Sequence, residues 1–471
     1  MANKYERHET RLATTDEKGH RVYLYPEDIK GFWRKWRTQV YWTLIAIYLI
    51  LPWIHIGGKQ SILLNIGDRE FTFFAHTFYG HDAPLLIFIL LGVPLVIGFI
   101  TSLYGRVWCG WACPQTVFID AIFSKLEKLV EGKARQREKL DKSPWTLKKF
   151  SLKSLKWFLF SIASLHIAHS FIGYFIGTRE LVQITLSPPW ENPTVFFATM
   201  LVSGITLFDF GWFREQFCII MCPYGRFQSV MMDENSMTVA YDPNRGEPRR
   251  SPQIPREQEG DCINCFHCVK ACPTGIDIRQ GVQQLECIAC TNCIDACDEI
   301  MEKVGRPKGL IRYATQNELD GKKESKFTWR SAVYLGLITI LVSAFTYNIA
   351  IKDSMKVILL HTGGKPFVKM TRQGQTKITN HKNLTIDYRS DGSRKLGFRI
   401  REKALRDKVQ IVTPRNPWSV ERGHNKAPLF FRFPEEILKE GNRRIHFEVY
   451  GPDKPQRVYK TLEVNLVGPF N

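Results

Sequence analysis

Eight cysteines between residues 262 and 297 constrain this chain more than any other feature of its sequence. They form two runs with the spacing C-x2-C-x2-C-x3-C, namely Cys262, Cys265, Cys268 and Cys272, and then Cys287, Cys290, Cys293 and Cys297. This spacing is typical of bacterial proteins that hold two [4Fe-4S] clusters, in which the fourth cysteine of each run ligates the other cluster. We therefore predict one cluster on Cys262, Cys265, Cys268 and Cys297, and a second on Cys272, Cys287, Cys290 and Cys293. Structural zinc sites use separated C-x2-C pairs, and they fit this pattern as poorly as a disulfide scaffold does.

The other four cysteines form two shorter motifs. Cys109 and Cys113 lie in CGWACP, and Cys218 and Cys222 lie in CIIMCP, so both motifs read C-x3-C-P. Cysteines four residues apart share one helix face, and the proline forces the second cysteine out of helical geometry. Two soft thiolates suit Cu(I), and all four together would make an S4 metal site or an exchanging dithiol pair. The plainer interpretation is that they are small buried residues at helix ends.

Charged and ionisable residues near these motifs admit two interpretations. Three arginines would either lower the pKa of the thiols or extend to lipid headgroups: Arg106, Arg214 and Arg226. His166 and His169 lie three residues apart in an apolar segment. Such residues in a membrane can contact a heme, a copper ion or a quinone, but we favour a packed, hydrogen-bonded pair.

Apolar segments divide the chain of 471 residues, although its mean hydropathy is only −0.19. Five segments are long enough, or nearly so, to cross a bilayer: residues 40–56, 84–104, 157–177, 194–213 and 331–351. The loop 105–156 carries twelve Lys and Arg residues, whereas the loop 57–83 carries two and the loop 178–193 carries one. Because basic loops stay in the cytoplasm, we predict a cytoplasmic N-terminus and a C-terminal region outside the inner membrane of a bacterium. We therefore interpret the net charge of +19 as favouring contact with an anionic membrane surface and not with nucleic acid.

The distribution of the cysteines agrees with this orientation and is independent of the loop charges. All twelve cysteines fall on the predicted cytoplasmic side, which is the reducing compartment. Residues 352–471 instead contain short alternating runs separated by turn signals, which predict a small antiparallel sandwich. The predicted organisation is a cytoplasmic flank (1–37), a membrane domain (38–213), a cytoplasmic segment (214–330) with a ferredoxin domain at 258–300, a fifth membrane helix (331–351) and a periplasmic immunoglobulin-like domain (352–471).

Three stretches carry a close resemblance to a known family. They are GRVWCGWACPQTVF at 105–118, the segment 213–249 from FREQFCIIMCPYG onward, and the double cysteine run with its continuation to residue 315. With the five predicted helices and the strand-rich tail, they resemble the FixG/RdxA/CcoG family of cytochrome c oxidase accessory proteins. The resemblance implies a role in assembling cbb3-type oxidase, with reduction of Cu(II) to Cu(I). It also implies that the eight cysteines bind the clusters and that the membrane motifs fall on Cys109, Cys113, Cys218 and Cys222.

We therefore expect a membrane-bound ferredoxin with two [4Fe-4S] clusters, which takes electrons from a cytoplasmic donor and reduces copper at the four motif thiols. The expected partners are oxidase assembly factors or a copper chaperone, with a homodimer possible. Two alternatives remain open at this stage. One is a quinol- or donor-linked carrier that feeds another reductase, and the other is an assembly scaffold whose clusters sense redox state.

Overall fold

The computed structural model describes residues 14–469, except 16–17, 19, 68–69, 75, 80–82, 324, 326, 351–354, 362–365, 373–374, 389–392, 422 and 439. The chain divides into two compact units, Met1–Thr346 and Tyr347–Asn471. The first contains every cysteine, and the second is a β structure.

Four helices in the described part of the chain are long and apolar enough to cross a membrane: Leu86–Tyr104, Leu147–Ile176, Pro193–Phe213 and Trp329–Ala350. They correspond to the predicted second to fifth spans. The helix Leu147–Ile176 begins earlier than the span predicted at 157–177. Thr146 caps its first turn by accepting a hydrogen bond from the Lys149 amide. It ends at Gly177, whose φ of +104° favours glycine. Large apolar side chains such as Leu90 and Ile340 are exposed on these helices, as expected of a surface that lipid covers.

The first predicted span, 40–56, is helical only in part. The helix is Phe32–Ile50, and Leu51–Trp53 continue it as a single 3-10 turn around Pro52. His55–Ile56 then pairs with Lys59–Gln60 as a short β ladder. This helix carries Arg34, Lys35 and Arg37 in its first two turns, so it is less apolar than the four helices above. A first crossing at 40–56 therefore stays a prediction.

Small elements connect the membrane helices. Three antiparallel strands, Ile62–Asn65, Glu70–Phe73 and His76–Tyr79, lie in the predicted outer loop. The basic loop contains several short helices, namely Val107–Trp111, Pro114–Phe118, Ser124–Glu131 and Ala134–Lys142.

The eight-cysteine segment is enclosed by a two-stranded sheet. Thr238–Tyr241 pairs antiparallel with Ile311–Ala314, one strand before the cysteines and one after them. Between them lie the helices His267–Lys270 and Asn292–Lys303. Apolar side chains from the strands and helices pack around the cysteines as one core, including Val239, Ile294 and Ile311.

The C-terminal unit is a sandwich of two antiparallel sheets. One contains Met355–His361, Val368–Arg372, Gln375–Tyr388, Gln410–Val412 and Gly423–Pro434, and the other contains Arg394–Ile400, Trp418–Val420, Asn442–Gly451 and Lys454–Val467. Leu384 and Phe431 of the first sheet share one fully buried core with Phe447 and Leu466 of the second. The β-rich tail is thus confirmed, while its immunoglobulin-like type stays a prediction.

Candidate iron–sulfur and thiol site

The eight cysteines of the ferredoxin segment line two separate cavities. The first cysteine cavity is lined by Cys262, Cys265, Cys268 and Cys297. The second cysteine cavity is lined by Cys272, Cys287, Cys290 and Cys293, with Cys268 also in its wall. Each has about 340 Å³ of space between its atoms, and the remaining walls are mostly apolar. Four thiols around a small apolar space fit a [4Fe-4S] cluster, for which thiolates are the usual ligands.

The backbone reaches this arrangement through the same strained geometry in both runs. Asn264 and Phe266 have φ values of +57° and +58°, and Ala289 and Thr291 have φ values of +52° and +62°. These are the second and fourth residues after the first cysteine of each run. Left-handed backbone at non-glycine residues is uncommon and concentrates at functional sites. It turns each run around its cavity before a short helix begins at His267 or Asn292.

Each C-x3-C-P motif breaks its helix as predicted. Cys113 and Cys222 have extended backbone geometry, and Pro114 and Pro223 are the first residues of the next helices. Cys109 instead lies in the short helix Val107–Trp111. Cys218, the matching cysteine of the second motif, lies in the π-helical turn Phe217–Met221.

Several contacts bring the two motifs together. The Cys109 thiol donates to Gln228 Oε1 at 3.1 Å, five residues after Pro223. Arg106 donates to the carbonyl oxygen of Gly225. Gln115 Nε2 donates to the carbonyl oxygen of Arg214 at 3.2 Å. All four motif cysteines are half-buried, and the thiols are close enough to influence one another electrostatically.

Burial controls the ionisation of these thiols. It raises the pKa of Cys109 to about 12, although the Arg106 guanidinium opposes this increase. Burial also raises the pKa values of Cys113 and Cys218 above their ordinary value. The Arg106 guanidinium thus lowers the Cys109 pKa, as one interpretation expected, but it does not outweigh the effect of burial. Nor does Arg106 extend to headgroups, because its buried guanidinium donates to the backbone carbonyls of Leu285 and Gly225.

The first C-x3-C-P motif packs directly against the loop of the second cysteine cavity. A Cβ atom added at Gly110 would lie 2.5 Å from the carbonyl oxygen of Ile288 and 2.7 Å from that of Ala289. Both residues lie between Cys287 and Cys290. Only glycine allows this approach of one backbone to another. The backbone next to Cys109 is therefore held against the loop of the second cysteine cavity.

The helix Phe32–Ile50, which sequence reasoning treated only as a basic flank and a membrane span, attaches the ferredoxin segment. Asp295 accepts hydrogen bonds from the amides of Trp33 at 3.2 Å and Arg34 at 2.6 Å, so it stabilises the helix N-terminus. The buried Arg37 donates from Nη2 to Asn292 Oδ1 at 2.7 Å and to Asp120 Oδ2 at 3.1 Å. No local pattern marks these residues, because their partners are more than 80 positions away.

Aromatic rings join the helix Phe32–Ile50, the first thiol motif and the strand Ile311–Ala314. The Trp33 ring packs edge-on against Trp111 of the first motif at 6.1 Å and against Tyr313 at 5.3 Å. His166 is exposed and His169 is half-buried on the helix Leu147–Ile176. Neither lines a cysteine-containing cavity in the described part of the chain.

Known proteins resemble this chain over the same segments. Residues 213–316 match a 4Fe-4S dicluster domain, and residues 84–133 match a 4Fe-4S binding domain. RdxB of Cereibacter sphaeroides is 37% identical over 332 residues, which are 67% of this chain and 69% of that protein. FixG of Rhizobium meliloti is 37% identical over 63% of this chain and 57% of its own length. RdxA of Cereibacter sphaeroides is 37% identical over 62% of each chain.

Proposed function

Since this chain belongs to the FixG/RdxA family of membrane iron–sulfur electron-transfer proteins, we propose that it reduces Cu(II) to Cu(I) at its four motif thiols. The reduced copper would serve the assembly of a cbb3-type cytochrome c oxidase. The matched 4Fe-4S domains support the electron-transfer part of this function. The metal substrate and the oxidase are our proposal.

The cysteines of the two cavities are the proposed cofactor ligands. Cys262, Cys265, Cys268 and Cys297 would hold one cluster, and Cys272, Cys287, Cys290 and Cys293 would hold the other. When bound, the two [4Fe-4S] clusters would supply carriers of single electrons. The protein itself supplies the positions of these sites and a dry, apolar surrounding, which shape their potentials.

One observation supports the thiol site most strongly, namely the contact of Gly110 with the carbonyl oxygens of Ile288 and Ala289. It keeps the thiol motif next to the loop that carries Cys287 and Cys290. Copper bound by the motif thiols would thus be close to a one-electron donor. Each Cu(II) takes up one electron and becomes Cu(I), and each coordinating thiol releases its proton. Soft thiolate ligands prefer Cu(I), so binding favours the reduction.

The membrane arrangement is proposed on the charge rule. With the helix Phe32–Ile50 as a first crossing, five crossings put the ferredoxin segment in the cytoplasm and the C-terminal sandwich in the periplasm. We propose that this sandwich is immunoglobulin-like and binds an assembly partner. Protease added to sealed spheroplasts should remove the sandwich and spare the ferredoxin segment. Protection of the sandwich, or loss of the ferredoxin segment, would contradict this arrangement.

A second candidate follows from the match at residues 84–133, whose description is 4Fe-4S binding. Cys109 and Cys113 are the only cysteines of that segment. The four motif thiols would then hold a further iron–sulfur centre, and the protein would carry electrons to another reductase without a metal substrate.

The test uses the purified full chain in detergent, reduced without oxygen and freed of excess reductant. Cu(II) should restore the absorbance of the oxidised clusters, and a Cu(I)-specific chelator should report an equal amount of Cu(I). Replacing Cys109 and Cys113, or Cys218 and Cys222, by serine should abolish this reaction and leave the iron content unchanged.

Two results would contradict the proposal. Undiminished reoxidation by copper after loss of all four thiols would exclude the proposed copper site. A loss of one cluster's iron in the serine variants would favour the electron carrier instead.

A further inference from the structure

A large cavity connects the two groups of cysteines with the protein surface. It has about 1560 Å³ of space between atoms, including its open mouth. Cys218 of the second thiol motif and Cys290 of the second cysteine cavity both contribute to its wall. The N-terminal segment, the basic loop and the ferredoxin segment close its other sides. A molecule in this cavity would therefore lie between a motif thiol and a proposed cluster ligand.

The wall of this arginine-lined cavity carries an excess of positive charge. Eight basic side chains line it, against the four carboxylates of Glu27, Asp28, Asp120 and Glu215. The deep wall is formed by Arg37, Arg137 and Arg214, which are all buried, and the exposed residues Lys30, Lys125 and Lys128 also line the cavity. A wall of one dominant sign concentrates ions of the opposite sign.

The deep arginines are fixed and still have donors to spare. Arg137 and Arg214 both donate to Glu127 Oε2, at 2.7 and 2.9 Å. Arg137 Nε and Arg214 Nη2 nevertheless find no hydrogen-bond acceptor among the described residues. Buried donors without an acceptor are costly, and guanidinium groups match carboxylate oxygens in geometry and charge. Both features favour an anionic occupant with carboxylate groups.

We propose that this cavity binds small polycarboxylates. Together with the proposed copper reduction, on which this second part rests, we infer that Cu(II) arrives as an anionic carboxylate chelate and not as the free cation. The excess of positive charge would repel the free cation and attract the chelate. In the reaction, copper gains one electron from a reduced cluster, its bonds to carboxylate oxygens break and bonds to thiolate sulfur form. The released carboxylate or water takes up the thiol protons.

Binding is measured first without copper, on the full chain with oxidised clusters. Citrate is the probe, and its binding is followed by equilibrium dialysis. The test variant is Lys125→Glu, at a lysine that lines the cavity, and the control is Lys139→Glu, an exposed lysine in the same loop that does not line it. Both change the charge by two units. We expect Lys125→Glu to weaken citrate binding by about tenfold and Lys139→Glu to leave it unchanged.

The second measurement compares two copper sources. Lys125→Glu should slow the reoxidation of reduced clusters by the anionic nitrilotriacetate chelate of Cu(II), but not by a cationic ethylenediamine chelate. If citrate does not bind, or binds both variants equally, the cavity proposal is wrong even where copper is reduced. If citrate binds as expected but neither chelate is reduced, the polycarboxylate site stands and copper reduction is the part that fails.

Discussion

Gly110→Ala should separate the thiol motif from the ferredoxin segment with a single methyl group. The new Cβ would lie 2.5 Å from the Ile288 carbonyl oxygen, whereas ordinary contact begins near 3.4 Å, so the two backbones must move apart by about 0.9 Å. Overpacking of this kind typically costs about 1–3 kcal/mol. Electron transfer slows as the distance between donor and acceptor grows, and an added distance of about 0.9 Å should slow it by a few-fold without abolishing it. We therefore expect slower electron delivery to copper, with both clusters still bound.

The assay is rapid mixing of the reduced protein with Cu(II), followed by cluster absorbance. Hexaammineruthenium(III) serves as a second oxidant that does not require thiol ligands, and its rate should not change. Gly204→Ala is the matched control, because a Cβ at this glycine in the helix Pro193–Thr206 meets no atom within 4 Å. It should behave as the unaltered chain with both oxidants.

Unaltered copper kinetics in Gly110→Ala, with full iron content, would refute the reasoning that this contact couples the thiols to the second cysteine cavity. A loss of iron from this variant would be a folding effect. The absorbance amplitude of the reaction with hexaammineruthenium(III) reports the fraction of intact clusters and so separates the two cases.

Three further predictions concern buried charges near the site. Arg37→Gln removes a buried cation next to Asn292 and Cys290, so the cluster at Cys290 should become harder to reduce in a redox titration followed by electron paramagnetic resonance. Arg37→Lys should restore part of the potential, and an unchanged potential in both variants would contradict this role. Glu127→Gln leaves Arg137, Lys156 and Arg214 without their shared carboxylate. It should lower the free energy of unfolding by about 3–5 kcal/mol. The control Glu138→Gln, at an exposed pair with Lys142, should lower it by less than about 1 kcal/mol. The three cations hold the pKa of Glu127 at about 2, below its ordinary 4.5, so its stabilisation of about 3 kcal/mol is complete above pH 4.5 and is lost as the pH falls towards 2. Thermal unfolding of Glu127→Gln should lack this acid-dependent part, and an equal loss in both proteins would show that other groups cause it.

Local patterns could be predicted from the sequence because their physical causes lie within a few residues. The spacing of Cys262, Cys265 and Cys268 limits how the backbone can wrap. The cysteines predicted for each cluster line one cavity together, with Cys268 in the walls of both, and their role as cluster ligands stays a prediction. Pro114 and Pro223 break their helices because proline restricts the residue before it. Long apolar runs predicted four of the helices within a few residues of their bounds, apart from the earlier start at Leu147. The span 40–56 was placed less well, since Pro52 and the following β ladder end the helix that hydropathy alone would continue.

The tertiary structure alone decided how these local units meet. Gly110 gives no sign in the sequence that it will pack on Ile288, and Asp295 gives none that it will cap the helix Phe32–Ile50. The excess of positive charge in the arginine-lined cavity could not be predicted from the sequence either, because its basic residues come from segments that are far apart in the chain. Periodicity and spacing report neighbours within a turn or two of backbone. The double cysteine run therefore predicted by itself two groups of cysteines, while long-range packing decided that Gly110 of the first thiol motif would lie against the loop of the second cysteine cavity.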